Sequence, residues 1–258
     1  MCACHRTTAC TTTRRERRAR EAGRWASHAS RKRRSCRTVS WPDLIMVTVA
    51  FYYSIGSRYS YLSSTQLASL ESDTGGTVEW HPVNSVELIS RRSRSPFDEP
   101  PVSGQYDWSD RELDAKRWAE YYQVPFVEPR GRVEFDSQVL ALACTAAKRL
   151  GHIEVFSRQL FAAMFSDRLT KIDIRECVRR AECCGIPSAS FRRALDDSET
   201  AKDLEATIER ALGAGVFGVP TFVVGTELFW GNDRLVLLRN HLKSKCCEPA
   251  NNAVESRR

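Results

Sequence analysis

Ser57-Arg58-Tyr59-Ser60 is the stretch of this chain whose residue types and position could do chemistry. It follows an apolar, β-rich run, Val47 to Tyr53, and the turn Ser54-Ile55-Gly56, and it opens a helical pattern. A hydroxyl at such a junction sits beside backbone N–H groups that lack partners within the helix and carry partial positive charge. Those surroundings favour an anion, a thiolate among them, and a serine hydroxyl can donate a further hydrogen bond to it. Serine is also a favoured N-cap, so on its own Ser57 reads first as a cap and nothing more.

The turn holds no thiol of its own. The ten cysteines are placed elsewhere: Cys2, Cys4, Cys10 and Cys36 near the start, Cys144 and Cys177 within helical patterns, and Cys183-Cys184 and Cys246-Cys247 as neighbours. Adjacent pairs suit neither a zinc knuckle nor an ordinary structural disulfide, and no C-x-x-C occurs. With no secretory h-region and no cysteine framework, the expected location is a reducing cytoplasm. No apolar run approaches the roughly 20 residues of a membrane-spanning helix. No metal site is expected.

The net charge of +7 is unevenly spread. Residues 1–45 hold twelve Arg or Lys against Glu16, Glu21 and Asp43, so the rest of the chain is slightly acidic. A folded nucleic-acid-binding domain needs its basic surface on the folded part, and this body lacks that excess. Residues 1–45 read as a disordered basic extension; a transit segment, or a stretch upstream of a true start at Met46, are the other readings. Residues 246–258 read as a second disordered tail.

The elements that must position the turn follow from periodicity. Tyr59 to Leu70 gives one amphipathic helix, ended by Asp73-Thr74-Gly75-Gly76, and Thr77 to Val83 a second strand with Pro82 near a sheet edge. Ser85 to Asp107 reads as a loop. Helices are expected over Asp110–Tyr122, Glu134–Leu150, Ile153–Phe165, Ile172–Cys184, Ser188–Asp196 and Asp203–Leu212. Phe222 to Val224 and Glu227 to Trp230 form a hairpin about Gly225-Thr226, and Arg234 to Leu242 a last helix capped by Asn232 or Asp233. A β-α-β half (46–84) and a β-β-α half (214–245) thus flank a helical block (85–213). The fold class is α/β, a thioredoxin-like fold with an inserted all-helical domain.

The runs FYYSIGSRYSYL (51–62) and GVFGVPTFVVGTELFWGNDRL (215–235), with Trp80, Pro82 and the pattern Asp114-x-x-Arg117-Trp118-Ala119, resemble the DsbA-like family. Within it they look most like 2-hydroxychromene-2-carboxylate isomerases and kappa-class glutathione transferases. The resemblance implies glutathione as cofactor, with Ser57 as the catalytic serine that stabilises its thiolate. It implies that Val219, before a cis-Pro220, aligns the glutathione backbone, and that Asn232 and Asp233 hold its γ-glutamyl end. Arg58 stands where the family usually has proline; it and Tyr59 would then face a small-molecule substrate, Arg58 holding an anionic carboxylate or pointing to solvent. The family's usual lysine in the central segment is replaced here by Gln105. Related enzymes are commonly dimers.

Four functions remain open. The first is an isomerase in which the cofactor thiolate adds to a conjugated carbon of an aromatic acid, a bond rotates and the thiolate leaves. The second is a kappa-like transferase. A third, thiol-disulfide oxidoreduction, needs an attacking and a resolving thiol where this chain has Ser57 and Ser60. The fourth is a non-catalytic thioredoxin-like binding domain.

Overall fold

The computed structural model describes residues 47–92, 108–167 and 169–246. The expected basic extension, the tail from 247 onward and Gln105 lie outside the described residues.

Four strands make the central sheet. β1 (Thr48–Tyr53) pairs in parallel with β2 (Thr77–Pro82) and antiparallel with β5 (Thr221–Val224), which pairs antiparallel with β6 (Glu227–Trp230). The order β2-β1-β5-β6 leaves β2 at an edge, where Pro82 removes no interior ladder bond. β1 is central because its alternate side chains, Val49, Phe51 and Tyr53, are fully buried. Phe51 stacks on Tyr53 and Phe222 at 5.1 Å and meets the edge of Trp80 at 5.2 Å. Burying an aromatic side chain of this size contributes on the order of 2–3 kcal/mol.

The helix expected from Tyr59 to Leu70 is two helices, α1 (Arg58–Ser64) and α2 (Leu67–Thr74). The Ser64 and Thr65 hydroxyls bond back to the Tyr61 and Leu62 carbonyls, each at 2.7 Å. Such back-bonding competes with the helical ladder, and the axis breaks there. The expected loop after β2 begins as a helix, α3 (Ser85–Ser90), whose Asn84 side chain accepts from the Val86 and Glu87 amides. Residues 93–107 of that loop lie outside the described residues.

The insertion comprises α4 (Trp108–Tyr122), α5 (Ser137–Arg149), α6 (Ile153–Phe165), α7 (Ile174–Cys183), α8 (Ser188–Asp196) and α9 (Ser198–Gly213). Three boundaries differ from expectation for local reasons: Asp173 caps α7, so Ile172 lies in a strand instead of the helix. Asp136 caps α5, so Glu134–Phe135 is free to form β3, paired in parallel with β4 (Lys171–Ile172). Asp197 caps α9 several residues earlier than the apolar stripe, which starts only at Leu204. α10 (Leu235–Cys246) closes the fold after a 3-10 turn, Asn232–Arg234. Asn232 and Asp233 lie inside that 3-10 turn, whose own cap position, Gly231, makes no side-chain cap bond.

The insertion is not a separate core. Phe51, Tyr53, Trp80 and Leu62 share one hydrophobic cluster with Phe156, Phe161, Phe165 and Phe191 of the helical block and Leu238 of α10. Among the described residues no helix is long and apolar enough to cross a membrane, and no group of residues could hold a metal ion.

Candidate functional site

The sheet fixes the turn and the turn fixes Ser57. The Ser57 amide donates to Ser54 O at 3.0 Å and its carbonyl accepts from the Tyr61 amide at 3.0 Å, which sets the first bond of α1. Its hydroxyl accepts from the Ser60 amide at 3.2 Å, the N-cap bond. The same hydroxyl donates to Val219 O at 3.5 Å. Val219-Pro220 is cis and lies just before the last β1–β5 pair, Tyr52–Thr221. The cap reading and the site reading of Ser57 are therefore compatible: one hydroxyl joins the helix start to the Val219 backbone. α1 is only seven residues long, so the hydroxyl and the first-turn amide matter more here than a macrodipole.

Gly56 lets the insertion approach. A Cβ at this position would lie 2.9 Å from the Phe135 ring, so β3 packs directly on the turn because residue 56 has no side chain. Phe135, Ser57, Arg58, Tyr59, Val219 and Trp230 are among the residues that enclose a cleft of about 940 Å³. Pro220, Asn232 and Asp233 are not part of its wall.

Arg58 does not point to solvent. Its Nη2 lies 3.2 Å from Glu128 Oε1, and both side chains are nearly buried, at 11% and 12% exposure. Glu128 sits on a loop held by Arg132, which donates to Glu128 O at 3.2 Å, to Met164 O at 2.7 Å and to Leu169 O. The Val127 amide adds a bond to Phe165 O at 2.7 Å. The ion pair thus rests on a loop pinned to the end of α6. Tyr59, on the next residue of α1, donates its hydroxyl to Asp114 of α4 at 2.7 Å.

Asn232 is buried behind α1. Its Oδ1 accepts from the Ser63 hydroxyl at 3.1 Å and the Tyr122 hydroxyl at 3.3 Å, whereas its buried Nδ2 has no hydrogen-bond partner among the described residues. Burial pushes the Tyr122 phenol up to about 12, so it stays a donor. Asp233 is exposed and pairs with Arg234 at 3.2 Å. Ser60, in the second hydroxyl position of the turn, is fully buried, and its Oγ has no partner among the described residues.

Glu128 carries no mark of a site residue in the sequence, since it stands between Pro125 and Pro129 in a stretch with no periodicity. Trp230 and Phe135 read there only as strand and helix positions. Ser63 and Tyr122 read as helix residues, and their convergence on Asn232 is a tertiary fact.

The cis-proline loop opposite a capped turn, on a sheet of order β2-β1-β5-β6 with a helical insertion, defines a thioredoxin-like protein of the DsbA type. The model of the DSBA-like thioredoxin domain matches residues 48–243, and the chain belongs to that family. It is 24% identical over 200 residues to a 2-hydroxychromene-2-carboxylate isomerase of Pseudomonas sp. (strain C18), covering 77% of this chain and 91% of that one. Glutathione S-transferase kappa 1 of Homo sapiens is 25% identical over 226 residues, covering 81% of this chain and 97% of its own. A solved 2-hydroxychromene-2-carboxylate isomerase structure, 23% identical, superposes with a TM-score of 0.66 over 77% of this chain and 96% of its own, a likeness of fold.

Proposed function

We propose that this protein is a glutathione-dependent isomerase of a small conjugated aromatic acid, of the 2-hydroxychromene-2-carboxylate isomerase kind. The observation that carries the reading is the Ser57 hydroxyl, set between the Ser60 amide and Val219 O in the wall of a cleft, with serine at both positions 57 and 60. Such a turn can orient and stabilise a thiolate but cannot supply one. Glutathione, when bound, supplies the thiol nucleophile.

The residues present fit such a cofactor. The cleft volume suits a small peptide-like ligand. Ser57 and Val219, joined through the Ser57 hydroxyl and the Val219 carbonyl, both stand in the cleft wall and offer it polar groups. Ser57 would then turn its hydroxyl from Val219 O to the thiolate, and hydrogen bonding to the charged form would lower the thiol pKa. Val219 would align the peptide backbone, while Asn232, behind the cleft wall, would support the turn helix through Ser63 rather than meet the ligand there. Asp233, exposed and paired with Arg234, would contribute charge rather than close contact. Arg58, held by Glu128 in the cleft wall, would set the charge met by an anionic substrate.

Calorimetric titration of glutathione into the full chain tests the reading. Binding is expected, with a thiol pKa below that of free glutathione; in Ser57→Ala binding persists and the thiol pKa returns toward the free value. No measurable binding to the wild type would overturn the proposal. The kappa-transferase relative supports a second reading with the same cofactor. Products separate the two: a released conjugate marks a transferase, and recovery of unmodified glutathione marks an isomerase.

A further inference from the structure

Tyr59 and Asp114 come from different elements, α1 and α4, and both line the cleft that Ser57 lines. Tyr59 Oη donates to Asp114 Oδ2 at 2.7 Å, and both side chains are half-buried. A phenol whose proton is committed to a carboxylate offers a ligand only lone pairs. This pair is therefore built to accept a hydrogen bond from a ligand hydroxyl. Burial and the Asp114 carboxylate raise the Tyr59 phenol well above its ordinary value, opposed by the charges of Arg58 and Arg111, so the phenol keeps its proton at neutral pH.

We propose that Tyr59 and Asp114 form a proton relay that takes the hydroxyl proton of the substrate and returns a proton to its ring oxygen as the ring opens. The proposal rests on the isomerase reading above. In a 2-hydroxychromene the hydroxyl and the ring oxygen share one carbon, so opening requires a proton to leave the first oxygen and reach the second. The substrate O–H bond breaks and its proton bonds to Tyr59 Oη, while the proton of Tyr59 passes to Asp114 Oδ2. The electron pair freed on the substrate oxygen becomes the π bond of a carbonyl. The ring C–O bond breaks, and its electron pair stays on the departing oxygen. That oxygen takes a proton from Tyr59 Oη as Asp114 returns one to Tyr59. One proton leaves the substrate and one comes back, with no change of oxidation state and no further reactant. Tyr59 is the catalytic residue of the pair; Asp114 is a positioning residue that also stores the proton.

The relay predicts recognition of a hydroxyl apart from turnover. A site that hydrogen-bonds a ligand hydroxyl discriminates against the analogue that lacks it. Calorimetry of the full chain without glutathione, with 2-hydroxycinnamate and cinnamate as probes, should show the hydroxylated acid binding about tenfold tighter. That preference should fall to twofold or less in Tyr59→Phe and persist in a Tyr121→Phe control on the exposed face of α4. Turnover of 2-hydroxychromene-2-carboxylate with glutathione should drop about 100-fold in Tyr59→Phe. Asp114→Asn keeps an acceptor for Tyr59 but cannot store a proton as a carboxylate does, so kcat should drop similarly with KM within about twofold, a split that lost packing would not give. Should Tyr59→Phe not fold, the Asp114→Asn split decides. Equal binding of the two probes, no binding of either, or unchanged kcat in Asp114→Asn overturns the relay. Absence of glutathione binding counts against the isomerase reading alone, because the hydroxyl preference is measured without it.

Discussion

The cleft and the interior of this protein treat ionisable groups in opposite ways. In the cleft wall Arg58 and Glu128 form an ion pair, and the Asp114 carboxylate accepts from Tyr59. In the interior, Cys144 and Cys177 are fully buried in the shared core, and burial pushes each thiol up to about 12. Cys144 there accepts a 3.7 Å contact from Ser157, whose hydroxyl lies 2.5 Å from that of Tyr53. On the other face of β1–β2, His81 stacks on Tyr52, and burial together with the Lys148 and Arg210 charges lowers it to about 3. The chain is rich in thiols, yet it places hydroxyls at the open turn and these two thiols where they cannot ionise. Residue type alone does not mark the site; the environment that would activate a thiol does.

Moving a thiol into that environment is the sharpest way to test the contrast. Ser57→Cys should set the introduced thiol beside the Ser60 amide, and its pKa should fall below the free value of about 8.5. Mass-mapped alkylation at pH 7 should label position 57 at least about tenfold faster than a free cysteine, with Cys144 and Cys177 unlabelled in the folded protein. Labelling at position 57 no faster than in an unstructured peptide would erase the difference between the two regions.

The ion pair tests the same contrast through stability. Glu128→Gln removes the carboxylate that pairs with the nearly buried Arg58, and denaturant unfolding should show a loss of about 3 kcal/mol. The double variant Arg58→Met, Glu128→Gln should recover part of it. A loss below about 1 kcal/mol would mean that the pair behaves as a surface bridge.

His81 yields a pH dependence with a defined sign. The unfolded chain protonates this imidazole as pH falls through 6.5, whereas the folded chain resists until about 3. Stability should therefore fall across that window by up to about 1.4 kcal/mol per pH unit, and this component should vanish in His81→Gln. An unchanged slope in the variant would place the loss elsewhere.

The smallest expected effect is on the cap. Ser57→Ala removes the acceptor of the Ser60 amide and should cost about 1 kcal/mol in unfolding free energy. A stability change near zero, with the thiol pKa of bound glutathione still altered, would separate the two duties of Ser57.

Much of this arrangement is legible in the residues. The four strands of the central sheet, the hairpin about Gly225 and most helices follow from period and punctuation, and the turn at Ser57 follows from a strand meeting a helix. What stays hidden depends on contacts distant in sequence. The break after Ser64 arises from hydroxyl groups competing for carbonyls, which a hydrophobic pattern does not register. Arg58 is ambiguous until Glu128, seventy positions away, supplies its partner. Asn232 is half legible: the resemblance singles the residue out, but its burial and its convergence with Ser63 and Tyr122 are tertiary facts. Asp233, singled out with it, is a surface residue.

The single core that β1 shares with the helical block has a consequence for how this architecture can be altered. Phe156, Phe161 and Phe165 form one side of the environment that buries Tyr53 and Trp80, so the inserted segment cannot be excised as a self-contained module. Melting should be one event that takes sheet, insertion and cleft together. A lineage that rebuilt the insertion would have had to preserve the residues packed on the sheet while varying those that line the cleft. The freedom to alter this cleft therefore lies in a few residues of a helical layer most of whose interior is already committed to holding the sheet.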